Sequence, residues 1–269
     1  MNPSGNHSPT RLALLGATGR MGRAVLHSLP EGPGLLLGGA LARPGHPELG
    51  RPADQLHPGV LLVDDAAAAL RDAQVALDFS RAEAVGGHLA ACVAARVPLV
   101  IAVTGLDAVT QRQVDEAARS IAVLPAANTS LGVAVMSRIA GLAAACLPGF
   151  DIEIAEAHHR LKRDAPSGTA LQLGEAIARA RGRELADIAV YSRHGNTPPR
   201  QADQLGFSVQ RAGDIVGNHT VLYAGRDETL EITHRAADRS CFARGALAAA
   251  AWLAERPPGL YCMQDVLGF

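Results

Sequence analysis

The sequence predicts an α/β protein: a Rossmann-like, doubly wound parallel sheet followed by a second, α+β unit. Three observations carry this. Short apolar runs alternate with Ala-rich helical patterns through the first half of the chain. A glycine-rich turn, GATGRMG at Gly16–Gly22, joins the first run to the first helix. Beyond Pro148-Gly149 the pattern changes to strand-rich runs with polar/apolar alternation.

The elements follow in order. Arg11–Leu15 is an apolar run that stops at Gly16, and a helical pattern then continues through Leu29. Further strands are expected at Leu35–Leu41, Val60–Val63, Val75–Phe79, Pro98–Val103 and Ile121–Leu124. Helices are expected between them at Ala66–Arg71, Ala82–Ala95 and Ala108–Arg119, and after them at Leu131–Leu147. Apolar strands separated by helices suit a parallel sheet covered on both faces, with ligands at the carboxyl ends of its strands. In the second half, Asp151–Ala157 alternates as a half-exposed strand. The helix Gly168–Arg181 follows, then runs at Ala189–Ser192, Gly206–Arg211, Asp214–Ala224 and Glu228–Arg235. These predict an antiparallel or mixed sheet with helices on one face. The helix Phe242–Leu253 and the tail Gly259–Phe269 are expected to return to the first domain. The expected domains are therefore 1–129 with 240–269, for dinucleotide binding, and 130–239, for substrate binding and oligomerisation.

Composition narrows the function. At 269 residues and 48% hydrophobic, the chain can build a real core in one large or two medium domains. A formal net charge of -1 gives no global field to attract nucleic acid or an anionic membrane. No apolar run reaches the roughly 20 residues of a membrane helix. Met1–Thr10 is polar and reads as a frayed tail. The four cysteines form no Cys-x-x-Cys pair. Metal and disulfides are therefore not expected, and free thiols fit a cytoplasmic protein.

The glycine turn points to a nucleotide. Gly16, Gly19 and Gly22 permit a tight turn, close approach of a pyrophosphate and close packing of helix on strand. Ala17, Thr18, Arg20 and Met21 complete the loop around a helix N-terminus that favours anions. The second strand ends Ala40-Leu41-Ala42-Arg43, with no carboxylate to accept from a ribose 2′-hydroxyl. Arg43, helped by Arg20, can instead pair with a 2′-phosphate, so NADPH is expected to be preferred over NADH. Asp78-Phe79-Ser80, Val103-Thr104-Gly105 and Ala126-Ala127-Asn128-Thr129 close further strands on the same edge.

The stretch EAHHRLKRDAPSGTA, Glu156–Ala170, holds the only lysine of the chain, although Lys and Arg together number 25. Ser167, Gly168 and Thr169 stand at a helix start, where backbone N–H groups and hydroxyls form an anion site. Lys162 adds a compact ammonium that can join proton transfer, which arginine in practice cannot. An imidazole can give or accept a proton near neutral pH, and His158 or His159 is the candidate for that role. Reduction of an imine or enamine needs a proton beside the hydride, and general acid catalysis is typically worth roughly 10²–10⁴-fold. A dicarboxylate held by this cluster while a nicotinamide approaches from the first domain is the expectation.

With GATGRMGR, DFS at Asp78, VTG at Val103, AANTSLGV from Ala126, RAGDIVGNHTV from Arg211 and LEITHRA from Leu230, the chain resembles the 4-hydroxy-tetrahydrodipicolinate reductase (dihydrodipicolinate reductase) family over essentially its whole length. The resemblance implies an NAD(P)H-dependent reductase of the diaminopimelate route to lysine, cytoplasmic and homotetrameric through its second domain. It implies His158 as proton donor/acceptor and Lys162 as proton donor. It also implies that His159 binds substrate and that Gly168-Thr169 hold a substrate carboxylate. Gly16–Met21, Ala102-Val103-Thr104 and Ala126–Thr129 match cofactor-contacting segments. Ala42 stands where relatives often carry an acid, Ala102-Val103-Thr104 where Gly-Thr-Thr is common, and Thr129 where an aromatic is common. Rival readings are an aspartate dehydrogenase and a dinucleotide-binding sensor without turnover. Neither needs Lys162 beside an anion loop.

Overall fold

The structure, a computed structural model, describes residues 8–32 and 34–269. Residues 1–7 of the expected polar tail lie outside the described residues. The chain divides into two compact units: one runs to Ser130 and resumes at Ser240–Phe269, and the other is Leu131–Arg239.

The first unit is built on a seven-stranded sheet. Its strands are β1 (Thr10–Leu15), β2 (Leu35–Leu41), β3 (Leu62–Val63), β4 (Val75–Asp78), β5 (Leu99–Ile101), β6 (Ala122–Pro125) and β12 (Gly259–Leu260), in the order β12-β6-β5-β4-β1-β2-β3. Every pairing is parallel. Side chains alternate across a strand, and here both sets are apolar: Leu12 and Leu14 point one way, Ala13 and Leu15 the other, all fully buried. Helices α2 (Ala66–Leu70), α3 (Ala82–Ala95) and α4 (Ala108–Ala117) cover one face through Leu70, Val85, Leu89 and Val114. Helices α1 (Arg20–Ser28) and α8 (Ser240–Leu253) pack on one another, and α8 also packs on β4, β5 and β6. The strand order reverses between β1 and β4, the switch point at which such sheets take ligands.

The second unit has a mixed sheet in the order β11-β10-β7-β9-β8. The strands are β7 (Asp151–His158), β8 (Ala189–Val190), β9 (Leu205–Arg211), β10 (Gly217–Ala224) and β11 (Thr229–Ala236). β10 runs antiparallel to β7 and β11, whereas β7, β9 and β8 are mutually parallel. Helices α5 (Leu131–Cys146) and α6 (Gly168–Ala180) lie on the face carrying Ile152, Ile154, Phe207, Val221 and Tyr223. Tyr223 is fully buried, and its hydroxyl donates to the Ala140 carbonyl at 2.6 Å. The opposite face carries Ala155, Ser208, Thr220 and Thr233, with the two threonine hydroxyls 3.0 Å apart. Short elements that the sequence pattern does not separate are α7 (Leu185–Ile188), α9 (Met263–Val266), β12 and a 3₁₀ turn at Leu29–Glu31.

Candidate active site

Within the first unit the carboxyl edge of the sheet gathers the residues expected to bind a dinucleotide. Gly16 has φ +85°, and a Cβ there would stand 2.8 Å from the Phe79 carbonyl oxygen. Only glycine fits both the turn and the approach of the β4 end. The N–H groups of Gly16 and Ala17 both donate to the Leu41 carbonyl, which ties the loop to the tip of β2. Gly19 is the N-cap of α1 and supplies no side-chain cap. The helix therefore leaves first-turn N–H groups for an external anion, as a pyrophosphate requires. Gly19, Arg20 and the nearby Arg43 are exposed, while Thr18 and Met21 are half-buried. The cradle fits a dinucleotide.

The other strand tips follow the same edge. Ala102 donates to the Asp78 carbonyl and Ala126 to that of Ile101, so the segments after β5 and β6 leave the sheet alongside the β4 tip. Val103 is buried and Thr104 exposed. Ala127 is exposed, and the Asn128 side chain accepts from the Ser130 N–H at 2.8 Å. Thr129 is 3% exposed, and its hydroxyl donates to the Phe242 carbonyl at 2.8 Å, which fastens the end of β6 to α8. At the β4 tip the fully buried Asp78 carboxylate accepts from the Ser80 N–H at 2.8 Å and meets His88 Nδ1 at 2.7 Å.

Within the second unit, strand register assembles a polar cluster. Glu156 and His158 are two apart on β7 and so share a face. β10 places His219 directly opposite Glu156, and β9 places Arg211 directly opposite His158. Glu156, His158 and His219 are buried. Glu156 Oε2 accepts from His158 Nδ1 and, at 3.1 Å, from Arg211 Nη1; Oε1 accepts from Arg211 Nη2 at 2.9 Å and from the Ser167 N–H at 3.2 Å. Burial raises the Glu156 carboxyl, but the Arg211 and His158 hydrogen bonds outweigh it and hold the group below the usual range.

Ser167 is the N-cap of α6, with its Oγ accepting from the Ala170 N–H at 3.2 Å. The same Oγ lies 3.1 Å from His219 Nε2. Burial drives the His219 pKa down to about 4, and the neighbouring His158 adds to this, so the ring is neutral. Its Nδ1 is buried without a partner, so the proton belongs on Nε2, where it donates to Ser167. With both Oγ lone pairs engaged, the hydroxyl proton is the one hydrogen-bonding group of the Ser167 side chain that these two contacts leave over. Gly168, first in α6, is exposed, with open space where a Cβ would stand.

Burial also lowers the His158 pKa, more than the Glu156 carboxylate raises it, and Lys162 and Arg211 lower it further. Lys162 is thus close enough to act electrostatically on His158. Its Nζ lies 2.8 Å from the Asp164 carboxylate, and its side chain is 21% exposed. His159 is half-buried, and its carbonyl accepts from the Lys162 N–H at 3.1 Å, turning the chain back toward the α6 start. Among the described residues, Glu156, His158 and His219 have metal-ligand spacing, their ligand atoms lying within 4.8 Å of one another. A guanidinium on both carboxylate oxygens opposes a cation there.

The structure thus brings together His158, Lys162, Ser167, Gly168 and Thr169 on neighbouring segments of one unit, and the glycine loop, Arg43, Ala102–Thr104 and Ala126–Thr129 on one sheet edge of the other. Glu156, Arg211 and His219 are not among the site residues expected from the sequence. The Glu-x-His spacing on a strand was the available signal for the first. The other two depend on register.

Residues 10–129 match the family described as "Dihydrodipicolinate reductase, N-terminus", and residues 132–267 match its C-terminal counterpart. The chain is 48% identical to the 4-hydroxy-tetrahydrodipicolinate reductase of Nitrosomonas europaea, over 97% of this chain and 99% of that protein. It is 49% identical to the enzyme of the same name from Thiobacillus denitrificans, over 96% and 98%. Among solved structures, a dipicolinate-bound dihydrodipicolinate reductase from Paenisporosarcina sp. TG-14 shares the fold, with a TM-score of 0.77 at 24% identity over 94% of this chain and 97% of that one. The chain belongs to the dihydrodipicolinate reductase family.

Proposed function

We propose that the protein reduces 4-hydroxy-tetrahydrodipicolinate to tetrahydrodipicolinate with release of water, using NADPH in preference to NADH, in the diaminopimelate route to lysine. The observation that carries this is the grouping of Lys162, His158 and the Ser167–Thr169 helix start, in a chain so similar along its length to curated reductases of that name. The overall change consumes one proton with each hydride and expels the ring hydroxyl as water. When bound, the nicotinamide supplies the hydride.

The chain's own residues supply the rest. The Ser167 hydroxyl and the N–H groups at the start of α6 donate to a substrate carboxylate, with the helix dipole reinforcing them. His159 binds the substrate beside them. Lys162 donates a proton as charge builds on the ring, and His158 Nε2 exchanges a proton with the leaving oxygen or its water. In the other unit, the Gly16–Met21 loop holds the pyrophosphate, Arg43 with Arg20 meets a 2′-phosphate, and Ala102–Thr104 and Ala126–Thr129 border the nicotinamide half. A cytoplasmic homotetramer formed through the second unit is part of the proposal. The sheet face of Ala155, Ser208, Thr220 and Thr233, which α5 and α6 do not cover, supports it.

The test follows nicotinamide absorbance on adding the aldol product of pyruvate and aspartate semialdehyde. Sustained NADPH consumption is expected. Tight NADPH binding with no consumption would replace the reductase by a dinucleotide sensor.

A further inference from the structure

We propose that Glu156, clamped by Arg211, is a positioning residue that makes His158 a one-directional acid–base group: it locks the imidazole in the Nδ1–H tautomer and leaves Nε2 as the nitrogen that exchanges a proton. The proposal rests on the reading that His158 exchanges a proton with substrate.

The chemistry of the carboxylate fixes the tautomer. Glu156 is only 2% exposed, and a buried carboxylate persists as an ion when its oxygens are fully donated to. Here each oxygen receives one Arg211 nitrogen and one further group, Ser167 N–H on Oε1 and His158 Nδ1 on Oε2. An ionised carboxylate only accepts, so His158 Nδ1 must carry hydrogen. A neutral imidazole then has its lone pair on Nε2. The chain leaves room at that nitrogen: a Cβ on residue 217 would stand 3.1 Å from His158 Nε2, and the residue there is Gly217. His219, edge-on to the ring with centroids 5.1 Å apart, limits its rotation.

Glu156 also joins two tasks. Through Oε1 it holds the backbone of the Ser167 cap, and through Oε2 it orients His158. One buried ion therefore sets the spacing between the carboxylate-binding helix start and the proton-exchanging nitrogen.

The experiment has two arms. In the wild-type protein without substrate, ¹⁵N NMR of the His158 ring above its titration point should show a protonated Nδ1 and a bare Nε2. The opposite tautomer would overturn the proposal, whether or not the protein proves to be a reductase. In the second arm, Glu156→Gln offers an amide N–H to Nδ1 and favours the wrong tautomer. It should lower kcat by about 10²–10⁴-fold with KM changed only a few-fold. Glu156→Asp should recover part of that loss.

The kcat pH limb assigned to His158 should also move to lower pH in Glu156→Gln. The groups facing the ring are Glu156 on its own strand, Arg211 on β9, His219 on β10 and Lys162 in the following loop, and Glu156 is the anion among them. A folded Glu156→Gln enzyme with unchanged kcat and pH profile would overturn the proposal. If that variant does not fold, the wild-type tautomer decides alone.

Discussion

Arg211 grips both oxygens of the Glu156 carboxylate, with Nη1 3.1 Å from Oε2 and Nη2 2.9 Å from Oε1, although the carboxylate is almost wholly removed from water. Removing one partner of such a pair strands a buried charge. Arg211→Met should cost about 3–5 kcal/mol. The sign with pH follows from the depressed Glu156 carboxyl: its contribution is present above the ordinary value of 4.5 and is lost as pH falls through the lower folded value. Urea denaturation from pH 3 to 7 should show that acid loss in the wild type and a flatter curve in Arg211→Met.

His219 titrates in a different window. Its pKa falls from 6.5 to about 4 on folding, so between those values the unfolded chain binds the extra proton and stability declines as pH is lowered. The full effect is on the order of 3 kcal/mol. His219→Gln removes it while keeping a donor toward Ser167. The same denaturation series should show a shallower decline between about pH 6.5 and 4.

Lys162→Ala should lower kcat by about 10²–10⁴-fold and leave NADPH affinity nearly unchanged, since the ammonium lies in the second unit, apart from the glycine loop in the sequence and in its compact unit. Steady-state kinetics with a fluorescence titration of NADPH separates the two quantities. Equal loss of both would assign Lys162 a structural role instead.

Gly16→Ala places a methyl group against the Phe79 carbonyl in a backbone conformation that alanine avoids. The expected result is a destabilisation of more than about 1 kcal/mol, together with weaker NADPH binding. Calorimetry and NADPH titration read the two effects.

Arg43 supplies a charge-assisted contact to a 2′-phosphate in the proposed site. Its loss in Arg43→Ala should raise the KM for NADPH by about 10- to 100-fold and leave the KM for NADH nearly unaltered. Ala42→Glu should shift the ratio of specificity constants toward NADH. An unchanged ratio in both variants would remove the tip of β2 from cofactor selection.

Much of the first unit was legible because its strands are apolar on both faces and its glycine turn has a fixed place between strand and helix. The runs at Leu35–Leu41 and Ala82–Ala95 coincide with β2 and α3. Elements of two to four residues, such as β12 and α7, hold too few side chains to display a period. The second unit's cluster was only half visible. Lys162 and the Ser167 cap lie in one local motif, whereas Arg211 and His219 meet Glu156 through strand register, which a linear pattern does not encode. Thr129 shows the converse: a residue placed by motif beside the cofactor, whose hydroxyl goes to the Phe242 carbonyl, 113 positions along the chain.

Because α8 and β12 complete the first unit from the far end of the chain, with Leu131–Arg239 intervening, the order of synthesis and the order of assembly diverge. On the ribosome, every strand of the mixed sheet has emerged before the parallel sheet receives its final edge and the helix beneath β4–β6. The inserted unit can thus close its core while its host is still open. A nonsense codon at position 240 would leave the sequence of the former whole and deprive the latter of the helix that covers its apolar face.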